Sequence, residues 1–253
     1  MDGIQPGSVN TLIAKTPVIS LNVDGISAKG CWNGIWFQGD DKGASRIQGG
    51  VYENEYVLTY EGWRISLLQY HAMYKGKYED GWRNVGGKGI PIVPYHFTTE
   101  ESGVPIPHAT GGPIPYNGTV KELEARIQIM NEEDAVRNLM HAHGFYVDRR
   151  MSTDVVDLHT ENTTVRVGNE TALRGKVGVR QVLERMGPED LTQGINNDHP
   201  VFDMIVEVNE DGKIAVARGI EVAMLGNASL RVAFWEFNVF RNRFVKENGT
   251  WKV

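Results

Sequence analysis

The chain has 253 residues, of which 41% are hydrophobic, 9% aromatic and 23% charged, values that fit a globular fold and exclude disordered, collagen-like or long heptad chains. Its net charge of −6 argues against a nucleic-acid partner, because phosphate binding needs a concentrated basic face. The single cysteine, Cys31, excludes an internal disulfide and a cysteine-based zinc cluster. No apolar run approaches membrane-spanning length and Met1-Asp2-Gly3 does not open a signal peptide, so no membrane partner is expected and a cytoplasmic location is. The N-x-S/T sequons at Asn117, Asn162, Asn169, Asn227 and Asn248 are accordingly read as accidental.

From about residue 9 to 74 the chain reads as an antiparallel meander. Pro17–Leu21 leads through the turn signal Asp24-Gly25 into Ser27–Trp32. Gly50–Val57 alternates with period two, and a Glu61-Gly62 turn precedes Trp63–Tyr70. Residues 76–119 are rich in Gly and Pro, which resist both helix and central strand. They are expected to form an irregular connector whose aromatics, Trp82, Tyr95 and Phe97, pack against a surface.

Helical spacing begins near Val120, with Leu123, Ile127, Met130, Ala135, Leu139 and Ala142 as an apolar stripe and Gly144 as a stop or kink. Further helices are expected around 154–159 and 177–186, the latter ended by Gly187-Pro188. Strands follow over 201–208, 214–225, 232–245 and 250–253, with Asp211-Gly212 as a turn. Helices followed by an antiparallel sheet make an α+β fold.

Self-comparison adds an internal repeat. Asn10–Ala28 lies on Asn197–Ala215 without a gap, matching Asn22/Asn209, Asp24/Asp211, Gly25/Gly212 and Ala28/Ala215. One residue further out of phase, Val51–Val57 lies on Val239–Val245 and Trp63-Arg64-Ile65 on Trp251-Lys252-Val253. The first half therefore repeats the sheet of the second without its helices. The expected division is a partial sheet half at 1–75, the connector at 76–119 and a whole domain at 120–253.

Asn131–Leu139, Gly144–Asp148, Leu173–Arg180, Asn197-Asp198-His199 and Asn248–Val253 together resemble, in order and spacing, SnoaL-like proteins of the nuclear-transport-factor-2-like superfamily. The resemblance implies a curved antiparallel sheet wrapped around helices, a cone with an apolar pocket, and homo-oligomers formed through sheet faces. It implies that the first half-copy either forms an internal pseudo-dimer with the second or completes the sheet that stops at Val253. The superfamily hosts dehydratases, cyclases, isomerases, epoxide hydrolases and lyases, many without a cofactor, beside non-catalytic binding proteins, so function must be argued from the site.

In the scytalone-dehydratase-like branch a catalytic aspartate and histidine stand where Asp148 and His199 stand here. The physical logic is independent: a buried carboxylate fixes an imidazole tautomer and raises its basicity, so the pair shuttles a proton near neutral pH. The bland reading is a helix cap at Asp148 and a loop hydrogen bond at His199. Leu12 occupies the place of His199 in the first copy, so that half lacks the pair. The later-strand histidine of the dehydratases has no counterpart around Ala223-Met224, and the Arg/Asp arrangement of the epoxide hydrolases is not recognisable.

Tyr146 is expected to bond a substrate oxygen. By alternation Asp203 shares a face with His199, and Glu221 or Arg218, but not both, faces the pocket; Trp235 is expected to line it or pack on the sheet. These residues, Tyr146, Asp203, Glu221 and Trp235, are the substrate-binding candidates. No metal site is expected: His141 and His143, two apart on a helix, point to nearly opposite sides. His71, His96 and His108 have no ligand spacing, and Cys31 has no nucleophile context. Tyr52, Glu53, Glu55 and Tyr56 mark a sheet face or a second site. The leading expectation is a cofactor-independent lyase or dehydratase acting on a small, apolar, aromatic molecule. The alternatives are an isomerase or cyclase using the same pocket and a non-catalytic ligand-binding or assembly module.

Overall fold

The computed structural model describes residues 7–22, 24–77, 80 and 118–253. The chain divides into two compact units, Met1–Asn117 and Gly118–Val253. Most of the expected 76–119 connector, with Trp82, Tyr95 and Phe97, lies outside the described residues.

In the first unit β1 (Val9–Leu21), β2 (Ser27–Gly39), β3 (Ser45–Thr59) and β4 (Gly62–Lys77) form an antiparallel sheet in the order β1-β2-β3-β4. The strands run longer than their alternating cores suggested, because ladder hydrogen bonds continue through the Gly-rich stretches. Aromatic rings lie against these glycines. A Cβ on Gly34 would meet the Tyr52 ring at 2.8 Å, and one on Gly50 would meet the His71 carbonyl oxygen at 2.2 Å. The Tyr52 and Tyr70 rings stack at 4.6 Å, and the Tyr56 hydroxyl accepts from Trp32 Nε1 at 3.0 Å and Asn54 Nδ2 at 3.1 Å.

The second unit opens with α1 (Val120–Asp148), started by a capping box in which Thr119 and Glu122 satisfy each other's backbone N–H groups. Two short helices, α2 (Ser152–Asp157) and α3 (Gly175–Met186), flank the two-residue strands β5 (Thr164–Val165) and β6 (Leu173–Arg174). The main sheet comprises β7 (Ile195–Asp198), β8 (Val201–Val208), β9 (Ile214–Asn227), β10 (Val232–Glu247) and β11 (Thr250–Lys252). Its order is β11-β10-β9-β7, with β8 also paired to β9.

Val136 and Met140 of α1 pack with Val206, Ala215, Ala217, Phe244 and Trp251 in the main core. A second cluster joins Val155 and Val156 of α2 to Val179 and Leu183 of α3. The expected apolar stripe on α1 is corrected: Leu123, Ile127, Met130 and Ala135 are exposed, and the sheet is met by Val136, Met140 and, partly, Leu139. The helix also continues through Gly144 to Asp148. One helical glycine costs only about 1 kcal/mol, and contacts at the helix end outweigh it.

The repeat is visible as geometry. Asn22 and Asn209 accept from Gly25 and Gly212 at 3.0 and 2.9 Å, and both glycines take φ near the left-handed value, 69° and 68°. β1–β4 thus match β8–β11 in order and direction, but β11 has three residues where β4 has sixteen. Two sheet copies, one carrying helices, are the α+β arrangement expected. Among the described residues no helix is long and apolar enough to cross a membrane.

Candidate active site

Asp148 is the last residue of α1, at the negative end of the helix dipole, where a carboxylate is disfavoured and cannot cap the free carbonyls. It is held by β7 and the residue after it. Asp148 Oδ1 accepts from the backbone N–H of His199 at 2.8 Å and from His199 Nδ1 at 3.0 Å. The helix-end carbonyls are capped instead by Asn197, whose Nδ2 donates to the oxygens of Val147 at 3.1 Å and Asp148 at 3.3 Å. Asn197 is 3% exposed. Asn197 is part of the Asn197-Asp198-His199 motif, which by itself assigns it no role. Its place two residues before His199, on the same strand face, is the signal that would have found it.

With an acceptor-only carboxylate on Nδ1, the proton of the neutral imidazole sits there and Nε2 is left as a base. The His199 side chain is only 10% exposed. Burial by itself pushes its pKa down. The hydrogen bond to Asp148 and the negative charges of Glu221, Asp148 and Asp198 together outweigh burial, so His199 titrates above its ordinary value.

Glu221 stands on the helix-facing side of β9, in phase with Ala215 and Ala217 of the core, paired with Val201 on β8 and Asn238 on β10. Asn238 Nδ2 donates to Glu221 Oε1 at 3.4 Å. Arg218, out of phase with Glu221, bonds Glu207 at 3.0 Å on the other side. The geometry therefore brings His199 and Asp148 together, and the charge of Glu221 acts on the His199 ring.

Two candidates do not join them. Trp235 pairs with Met224, out of phase with Glu221, so it stands on the opposite face of the sheet and is 45% exposed. Asp203 does not share a face with His199 by simple alternation: a bulge between Phe202 and Ile205 inserts a residue, and Asp203 lies within it, exposed, with φ 51°. Tyr146 packs against the second cluster, that of Val155, Val156, Val179 and Leu183. A cavity of about 660 Å³ lined by Ser20, Ser27, Lys29, Glu55 and Tyr56 belongs to the first unit. Elsewhere in the second unit the imidazoles of His143 and His159 lie 5.5 Å apart, and His159 Nδ1 bonds the Val155 carbonyl at 2.9 Å.

The SnoaL-like domain family matches residues 4–69 and 128–253, so both sheet copies are covered and the chain belongs to that family. Solved structures similar to it include a nuclear-transport-factor-2-like protein with a cystatin-like fold from Novosphingobium aromaticivorans. That match has 16% identity and a TM-score of 0.43, covering 54% of this chain and 86% of that one. Another is ActVI-ORFA from Streptomyces coelicolor, at 16% identity and a TM-score of 0.40, covering 47% of this chain and 89% of that one. A scytalone dehydratase candidate from N. aromaticivorans matches at 18% identity and a TM-score of 0.44, covering 50% of this chain and 82% of that one. No curated protein matches the chain.

Proposed function

We propose that the second unit is a cofactor-independent lyase or dehydratase acting on a small apolar, aromatic molecule. Family membership supports the coarser statement, an enzyme that processes small molecules. The observation that carries the finer one is the pair of hydrogen bonds from His199, ring and backbone, to one oxygen of Asp148. A histidine held by one carboxylate at both its ring Nδ1 and its backbone N–H keeps Nε2 aimed and basic.

In an elimination His199 Nε2 takes the proton from the carbon next to a carbonyl. The electrons of that C–H bond form the C=C bond as the C–O bond to the leaving hydroxyl breaks. The imidazolium then returns the proton to that hydroxyl, and water departs. Asp148 stabilises the imidazolium without taking the proton itself. Such a step needs acid–base help and a dry site.

The test is turnover of β-hydroxy aromatic ketones by wild type, His199→Ala and Asp148→Asn. Loss of about 10²–10⁴-fold in kcat in both variants, with fold retained, is the expected result. Unchanged turnover in His199→Ala refutes the reading.

A further inference from the structure

The two sheets pair residue for residue. Leu21 faces Ala28 as Val208 faces Ala215, Ala28 faces Tyr56 as Ala215 faces Phe244, and Leu58 faces Trp63 as Lys246 faces Trp251. What covers them differs. In the second unit this side of the sheet packs on α1, and Val206 and Trp251 are each 6% exposed. In the first unit the equivalent Ile19 and Trp63 are 60% and 43% exposed, and no helix occurs among its described residues. Leu21, Leu58, Ile65 and Leu68 share that side through their cross-strand partners Ala28, Trp63, Tyr56 and Asn54, and they are exposed as well. The side that carries a helix in one copy is bare apolar surface in the other.

α1 carries the matching surplus. Leu123, Ile127 and Met130, spaced i, i+4 and i+7, form an exposed apolar stripe. At 3.6 residues per turn they lie roughly 150° round the helix from Val136, so the sheet that buries Val136 does not reach them. Charge matches too. Lys246 and Trp251 receive a carboxylate of α1, that of Glu132, at 2.5 and 2.7 Å. In the first sheet Leu58 stands in place of Lys246, which removes the cation, and the stripe brings no carboxylate. An uncharged face against an uncharged stripe leaves no buried charge unpaired.

We infer that the bare face of the first sheet is a dimer surface that takes the Leu123/Ile127/Met130 stripe of α1 from a second copy of this chain. Each chain carries both the face and the stripe, so two copies related by a two-fold axis exchange them and close both contacts at once. The contact involves neither His199 nor Asp148 and is independent of the proposed function.

The experiment is sedimentation velocity of the full chain over a range of concentrations, with circular dichroism and thermal melts as controls for fold. Wild type is expected to dimerise. Ile127→Glu and Ile65→Lys change side chains that are exposed within their own units, so the fold should hold. Each should weaken dimerisation by about a hundredfold or more, because a lone charge is then buried in both contacts. Mixing the two variants should restore the dimer: one contact is then wild type on both sides, and the other sets Glu against Lys. Leu68→Lys replaces Ile65→Lys if that variant misfolds.

A wild type that stays monomeric throughout overturns the inference. So does a dimer that either substitution leaves intact, since it must use another surface. Two folded, monomeric variants whose mixture does not dimerise overturn it as well.

Discussion

The indole Nε1 of Trp251 donates to Glu132 Oε2 at 2.7 Å, joining the last strand to the middle of the first long helix across 119 residues. The other oxygen of Glu132 accepts from Lys246 Nζ at 2.5 Å and from Gln128 Nε2 at 2.8 Å. A carboxylate that is 8% exposed is thus fully partnered, and its pKa is held below the ordinary value, chiefly by Lys246 and then Trp251. Glu132→Ala leaves the Lys246 charge and the indole N–H without their acceptor. It is expected to destabilise the second unit by about 3–5 kcal/mol, whereas Trp251→Phe costs about 1–3 kcal/mol. Urea denaturation measures both, and a loss below about 1 kcal/mol for Glu132→Ala contradicts the account.

His199 should titrate above about 6.5 in the wild type. Asp148→Asn removes one negative charge and weakens the hydrogen bond to Nδ1 but leaves burial, so the pKa should fall from its wild-type value. Because the folded pKa is raised, the stability it contributes is present below the unfolded pKa and is lost as pH rises through the folded one. NMR titration of the ring reads the shift directly, and an unmoved pKa in the variant means Asp148 is a bystander.

The His143/His159 pair acts in the opposite sense. Burial, with the nearby His159 ring, lowers His143 to about 4, and burial also lowers His159, reinforced by Lys176 and Lys252. Lys176 is itself paired with Glu161 at 3.0 Å, and Lys252 donates to the Asp157 carbonyl. Depressed folded pKa values mean stability that is full above about 6.5 and lost as pH falls toward about 4. His143 alone accounts for a loss of about 3 kcal/mol. Thermal melts across that window should fall steeply for wild type and less so for His143→Phe. Parallel profiles would remove the pair from the explanation.

Asn197 holds the end of α1 against the sheet, so Asn197→Ala leaves two helix-end carbonyls without that donor. The expected cost is about 1–3 kcal/mol. A packing role stops there. A positioning role also lowers the His199 pKa, because Asp148 is no longer held in line. Ring titration separates the two.

The hairpin turns were legible because their causes are local. Asp24 Oδ1 accepts from Ile26 and Ser27 N–H at 2.9 Å each, and Asn209 Oδ1 from Lys213 and Ile214 at 3.0 and 2.9 Å. Such turns need only side chains two to five residues away. The stripe on α1 was legible as a helix but not as a packing face: Leu123 and Val136 read equally apolar, and only the position of the sheet separates the exposed from the buried.

The sequence by itself determined the duplication and the order of helices and strands, because turn chemistry and hydrophobic period are short-range properties, and its resemblance to the scytalone-dehydratase-like branch pointed to Asp148 and His199. Tertiary structure decided the rest. Alternation along a strand says which residues share a side, but not which side meets the helix. The packing of α1 put Glu221 on the helix-facing side and left Trp235 on the opposite face, and the bulge at Asp203 broke the phase on which its assignment depended.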